Sequence, residues 1–274
     1  MVVKNRAYAK FTSTIAGILI LTSSGAYTSE PHSATQTLIE QTGVTTQIYS
    51  LSNLVAESSR THAARCNLSP ASDFVPGFNA DSVIFDLVSV FRQNHRQSIE
   101  PVEIWYRSAL AKKIKAAESE QIDITPLTDF LQSEHYKDPV RQKLISQIVD
   151  NVQASRFVAI LGTEIEYAGI VHSGCIQHNQ VEGKINSEQI LANITREDKD
   201  LTAMLLRGEI IADTAYLYRN ISIDDLQRYE VFTSSDTGSL FYSKLIDAVQ
   251  ESFKLAGDRL TKSINSEIQG SIDF

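Results

Sequence analysis

Apolar residues recur along most of this chain at steps of three and four. Leu245, Val249, Phe253, Ala256, Leu260 and Ile264 are spaced by 4, 4, 3, 4 and 4 residues. That is the period of one face of an α-helix. Leu201, Met204, Leu205, Ile211, Ala215 and Tyr218 form a second stripe of the same kind. Period-two alternation, the mark of a half-buried strand, is rare. The pattern predicts an all-α fold, a multi-helix bundle of amphipathic helices that each bury one face.

Helix starts are marked by capping residues. Thr125-Pro126 and Asp138-Pro139 each place a cap before a proline at the first helical position, and the second opens a long run to about His172. Ser222-Ile223-Asp224-Asp225 and Thr195-Arg196-Glu197-Asp198 resemble capping boxes with Asp in place of Glu. Asn67 to Asn79, with Pro70, Pro76 and Gly77, reads as a loop, as does Gly174 to Lys184. Residues 27–34 read as a polar leader and 268–274 as a frayed tail.

A faint repeat runs at an offset of 127 residues. Aligning Phe91-Arg92 with Tyr218-Arg219 sets Trp105 on Phe232, Ser108 on Ser235 and Ala111 on Gly238 without a gap. Each copy reads as a helical hairpin in which an aromatic packs under the next helix and a Ser caps it. In the second copy Ser234, Ser235 and Asp236 compete for the cap, and Gly238 relieves crowding in the first turn. The repeat divides residues 35–267 into halves, 35–137 and 138–267.

The first 26 residues have the order of a secretory signal. Lys4, Arg6 and Lys10 precede the apolar Thr14 to Thr22, and Ser24-Gly25-Ala26 supplies small residues for cleavage after Ala26. The apolar stretch is short of the roughly 20 residues that span a bilayer. No later stretch approaches that length, so no stable membrane span is expected. Export makes Cys66 and Cys175, the chain's 2 cysteines, a candidate disulfide.

Charge narrows the partners. The 274 residues carry 25 Lys+Arg against 33 Asp+Glu, a net charge of −8. Removal of the three cations in 1–26 would leave −11. Such a chain has no general grip on phosphate backbones, so nucleic acid is not an expected partner.

The stretch from Tyr216 to Leu260 carries Tyr216, Tyr218, Arg219, Ser222, Asp225, Leu226, Tyr229, Phe232, Ser235 and Gly238 in one order. The order is Tyr-x-Tyr-Arg, a Ser-x-x-Asp/Glu-Leu helix start, Tyr-x-x-Phe and Ser-x-x-Gly. In this it resembles the bacterial DUF2059 proteins, a domain of unknown function. Glu103 to Lys113 also resembles a segment of those proteins, with Ala111 where Gly often stands there. The resemblance implies an exported, helical bacterial protein and carries no catalytic assignment.

Local chemical signatures are scarce. There is no Gly-x-Ser-x-Gly, Ser-x-x-Lys, His-Glu-x-x-His, Cys-x-x-Cys, phosphate-binding glycine loop or calcium loop. His172, Cys175 and His178 form a weak metal candidate, because positions 172 and 178 of a continuous helix point different ways. Glu164 and Glu166, near Tyr167 and His172, form a carboxylate pair two residues apart, so a shared proton is not expected. Arg92, Arg96 and Arg107 lie near Glu100 and Glu103 and read as ion-paired. Tyr216, Tyr218, Tyr229, Phe232, Phe241, Tyr242 and Phe253 read as core, with a tyrosine-lined groove for an apolar peptide or lipid tail as the sharper alternative. Within that set Tyr216, Tyr218, Arg219, Tyr229 and Phe232 are the candidate binding residues. Arg92 and Arg219 are expected to be struts clamped by acidic neighbours. Asn67, Asn193 and Asn220 stand at sequon positions and read as caps and turns.

No cofactor is expected. The residues favour a non-enzymatic periplasmic or secreted binding protein, with an envelope protein or an apolar ligand as partner. An exported hydrolase with a dispersed site, or a minor metal-binding role, is the alternative.

Overall fold

The computed structural model describes residues 34–272 apart from 70, 71, 73, 95–98, 121 and 176–198, and no side chain of 199–201 or 267–272. The signal, most of the leader, Arg96, His178, Asn193 and the cap at Thr195 therefore lie outside the described residues. Twelve α-helices and no strand occur among those described. They are α1 (Ala34–Thr42), α2 (Val44–Arg65), α3 (Ala80–Asn94), α4 (Glu100–Arg107), α5 (Ala109–Glu118) and α6 (Ile124–Gln132). Then come α7 (Glu134–Lys137), α8 (Pro139–Asn151), α9 (Ala154–His172), α10 (Lys199–Leu217), α11 (Ile223–Ser234) and α12 (Asp236–Ile272). A 3₁₀ turn, Tyr218–Asn220, continues α10. The fold is the all-α bundle that the apolar spacing predicts.

Three corners share one design. Ser108, Ser133 and Ser235 have extended backbones (φ −66, −72 and −64°) that turn the chain between consecutive helices. Each Ser N–H donates to the carbonyl of an aromatic three residues earlier: Trp105 at 2.9 Å, Phe130 at 3.0 Å and Phe232 at 3.2 Å. Each Ser Oγ then accepts the N–H three residues on, from Ala111, Tyr136 and Gly238. The hydroxyl thus satisfies a donor that the first turn of a helix leaves open. Of the three residues that compete for the second cap, Ser235 takes it.

The repeat alignment matches helix boundaries: α4 ends at Arg107 and α11 at Ser234, 127 residues apart, and α5 and α12 begin at Ala109 and Asp236. Asp138 caps α8 through the N–H groups of Val140 (2.9 Å) and Arg141 (3.3 Å).

Several boundaries differ from the sequence reading. The run from Asp138 to His172 is two helices, because Gln153 adopts a left-handed φ of 54° and breaks the hydrogen-bond ladder. The helix expected from Pro126 begins at Ile124, with Asp123 at the cap position. The last helix extends to Ile272, past position 268.

Two apolar clusters form the interior. The first joins α1, α2, α3, α4, α9 and α12 around Phe78, Phe91, Phe241 and Phe253, all at most 1% exposed. The α12 stripe from Leu245 to Ile264 lies wholly inside it. Each large side chain so buried contributes about 1.5–3 kcal/mol. The second joins α5, α8, α10, the 3₁₀ turn and α11 around Ile145, Ile148 and Leu226. Both clusters draw residues from before and after position 138. Trp105, Val152 and Phe232 pack against both.

The α10 stripe behaves differently. Ala215 and Tyr218 are buried, but Met204 and Leu205 are 63% and 71% exposed. The stripe is covered from Ile211 to Tyr218 by the second apolar cluster, and the described chain leaves it open at Met204 and Leu205.

Gly238 sits where a Cβ would collide with the Phe232 carbonyl, whereas nothing lies near a Cβ at Gly162. Gly238→Ala is expected to lower stability by about 1–3 kcal/mol. Gly162→Ala should raise it by up to about 1 kcal/mol, as removal of a mid-helix glycine does. Urea unfolding of the two variants measures both.

Candidate functional site

The tyrosines of the candidate site are drawn together because α4, α11, α12 and the 3₁₀ turn meet where the two apolar clusters join. Tyr216, Tyr218 and Tyr229 are 7%, 3% and 5% exposed, while Arg219 and Phe232 are half-buried. Trp105 lies over Tyr229 and Phe232. Its ring stacks on Phe232 at 4.3 Å and 10°, and on Tyr229 at 5.8 Å and 4°. Under the repeat alignment, Trp105 and Phe232 are equivalent positions, so the two copies meet ring on ring. Tyr218, Tyr229 and Phe232 are packed in the interior, whereas Tyr216 lies apart, edge-on to Phe130 with ring centres 5.7 Å apart.

Their hydroxyls form a polar line inside the core. Tyr218 donates to Glu118 Oε1 at 2.7 Å, and the hydroxyls of Tyr106 and Tyr242 lie 3.2 Å apart. Burial pushes the pKa of Tyr218 up, and the Glu118 carboxylate raises it further. Burial raises Tyr106 and Tyr229 as well, with Tyr242 adding to both. Tyr242 is pushed up by burial to about 12, held back by hydrogen bonds with Tyr106 and Tyr229. The group stays protonated across the physiological range. It can donate and accept hydrogen bonds, but it offers no phenolate for chemistry. Glu118 also accepts from Lys115, which donates in turn to the Thr42 carbonyl, so the line ends at the α1–α2 junction.

Arg219 is a strut. It donates to Glu120 at 2.6 Å and to the Tyr216 carbonyl at 2.9 Å, and its guanidinium lies 4.2 Å from the Tyr216 ring centre. Arg92, its counterpart in the repeat, is exposed on the last turn of α3. Arg107 pairs with Glu103 at 3.1 Å.

The residue that sequence reasoning missed is Arg141. It is 5% exposed and donates to the carbonyls of Tyr218 (3.0 Å) and Ile221 (2.9 Å). It thereby ties the end of the 3₁₀ turn to α8, adding a second donor to the Tyr218 carbonyl, which also accepts the Ile221 N–H at 2.9 Å. Burial lowers its pKa, and Asp138 opposes that. The only signal in the sequence was a cation three residues after the Asp138 cap.

The carboxylates near 164–166 part company. Glu164 is buried, and Glu166 meets His62 Nε2 at 3.0 Å. Burial alone would raise the Glu166 carboxyl, but the hydrogen bond and charge of His62, with Arg65 and Ser58 behind, hold it below the usual range. Tyr167 turns the other way, to Thr261 Oγ1 at 2.7 Å. His172 Nδ1 lies 3.1 Å from Ser59 Oγ, and Ser59 is 1% exposed. Cys175 is in a disulfide with Cys66, so it has no thiolate to give a metal. Among the described residues, no three His, Cys, Asp or Glu side chains gather as metal ligands.

A groove of about 630 Å³ runs between α3 and α12, past Asp86, Gln93, Asp247 and Glu251. Two of its carboxylates are engaged, Asp86 with Arg259 and Asp247 with Arg156. No described helix is long and apolar enough to cross a membrane. Set against known proteins, the chain matches no family model, no curated protein and no solved structure.

One carboxylate carries a cost at neutral pH. Asp213 on α10 is 8% exposed, and burial, with the Glu209 carboxylate one turn before it, raises its pKa to about 6. A raised acid stabilises the fold below its unfolded pKa near 4 and loses that contribution as pH climbs through 6. Asp213→Asn is therefore expected to stabilise the protein above pH 6, on the order of 2 kcal/mol. Below pH 4 it should change little. Thermal melts of both proteins at pH 4 and pH 7.5 measure the difference.

Proposed function

We propose that this chain is an exported protein of the bacterial envelope, of the kind its resemblance to DUF2059 proteins implies, and that it works by binding rather than by catalysis. The observation that carries this reading is a pair of exposed apolar side chains in the first half of α10. Met204 and Leu205 stand side by side at 63% and 71% exposure, and no side chain between 202 and 212 is fully buried. Adjacent apolar side chains held in water on a regular helix are what an envelope protein or an apolar ligand covers. Periplasmic or secreted location is supported by the basic, apolar, small order of residues 1–26 and by the Cys66–Cys175 bridge, since disulfides persist in oxidising compartments.

One observation favours an exported hydrolase instead. Ser59 Oγ and His172 Nδ1 are at the spacing of a nucleophile and its base. With Ser59 at 1% exposure no substrate carbonyl reaches its oxygen, so binding remains the preferred reading.

Affinity capture from the exported fraction, with mass spectrometry of proteins and lipids, tests the proposal. Wild type should retain a specific partner, and Met204→Asp/Leu205→Asp should lose it with an unchanged melting temperature. If wild type and variant recover the same set, the α10 face is not the binding surface. If neither recovers anything specific while generic ester or peptide substrates are turned over, the hydrolase reading replaces it.

A further inference from the structure

The far end of the α2–α9 pair is built unlike the rest of the interior. The first apolar cluster takes α2 only as far as Leu51, Val55 and Ala56, but it takes α9 from Ile160 through Ala168 to Val171. Further along, Ser58 and Ser59 are 6% and 1% exposed and face polar groups of α9. Ser58 approaches Glu166 (3.5 Å), His62 pairs with Glu166, and Ser59 meets His172. The helices touch closely here, since a Cβ on Gly169 would collide with the Ser58 side chain. Ala63 and Cys175 are buried, yet they belong to neither apolar cluster. Just beyond, both helices stop at left-handed residues, Asn67 (φ 56°) and Gly174 (φ 76°). Cys66 and Cys175, 109 residues apart in sequence, close this end covalently.

We infer that the end of α2, residues 58–66, is a separable unit whose closure against α9 is set by the redox state of the Cys66–Cys175 disulfide. The physical reason is the nature of the contacts left when the bridge is gone. Small side chains in close contact lose most of their attraction on a separation of an ångström. The polar pairs regain water as they part, so little holds them shut. Residues 58–66 of α2 belong to neither apolar cluster, whereas Ile165, Tyr167, Ala168 and Val171 hold α9 in the first. Regions with few apolar contacts open locally at a fraction of the global cost.

The sulfurs differ in access. Cys66 is half-buried, whereas Cys175 is 7% exposed. A dithiol reductant would therefore attack Cys66 Sγ as its thiolate. The S–S bond breaks, Cys175 leaves with the electron pair and takes up a proton, and a mixed disulfide forms on Cys66. The reductant's second thiol then displaces Cys66, which is protonated in turn. The reductant ends as a disulfide, oxidised by two electrons, and the protein holds two thiols. This inference is independent of what α10 binds.

Hydrogen exchange of the whole chain with and without dithiothreitol, in native buffer, tests it. Reduction should speed exchange at 58–66 by about tenfold or more, as loss of local protection does, while the amides of 160–168 keep their rates. The amides of α8 and α11 should keep their rates. Fluorescence of Trp105, the chain's 1 tryptophan, should not move. Cys66→Ser/Cys175→Ser should show the same pattern without reductant. Unchanged exchange after complete reduction would overturn the inference. So would loss of protection in α11 together with the Trp105 signal, which would make the bridge a staple of the entire fold. Failure of dithiothreitol to reduce the bridge until denaturant is added would overturn it as well.

Discussion

The stack of Trp105 on Phe232 and Tyr229 is the contact on which the rest of the structure depends. The chain builds two apolar clusters, and among described residues only Trp105, Phe232 and Val152 pack against both. Parallel aromatic rings at 4.3 Å supply a broad, directional surface that aliphatic side chains do not. Each ring sits three residues before a corner serine, and each aromatic carbonyl accepts that serine's N–H. The stack therefore sets how α4 meets α11, and through the corners where α5 and α12 depart. A single contact between equivalent positions of the repeat transmits orientation to four helices.

Polar groups inside this framework specify position more than they add stability. Arg141 holds two carbonyls where the 3₁₀ turn ends, and Tyr218 reaches Glu118 across a hundred residues of sequence. Leaving any of these unpaired in the interior would cost more than the pair contributes. The consequence is one allowed arrangement of the turn against α5 and α8. Surface ion pairs such as Arg207 with Asp150 bind the same elements together but are worth little singly. The protein is thus firm at its centre, and the features open to function lie at its edges, on α10 and at the sulfur-bridged end of α2.

Much of this was legible in the residues. The helical period of 245–264 corresponds to a face buried along its whole length, because every position in it is apolar and evenly stepped. The Ser235 cap was legible for the same kind of local reason, as one hydroxyl serves one turn. The disulfide followed from two cysteines and an export-like N-terminus. What could not be read was anything set by distant partners. The stripe at 201–218 has the same period as its neighbour, but period alone does not say whether a second helix lies against it. Gln153 gave no warning of a left-handed break, since Gln carries no turn signal of the kind Gly or Asn does. Arg141 looked like one more surface cation because its acceptors lie about eighty residues away. The tyrosines spaced along 216–242 are equally consistent with a groove or a core, and the choice is made by partners about ninety or more residues upstream: Phe130 on Tyr216, Trp105 on Tyr229 and Tyr106 on Tyr242.

A double-mutant cycle between Trp105→Leu and Phe232→Leu measures the central contact directly. Equilibrium unfolding of the two single variants and the double variant should give a coupling of about 1 kcal/mol beyond additivity, the scale of an aromatic pair. Simple additivity would mean that the rings fill space independently, and that the joint between the two clusters lies elsewhere.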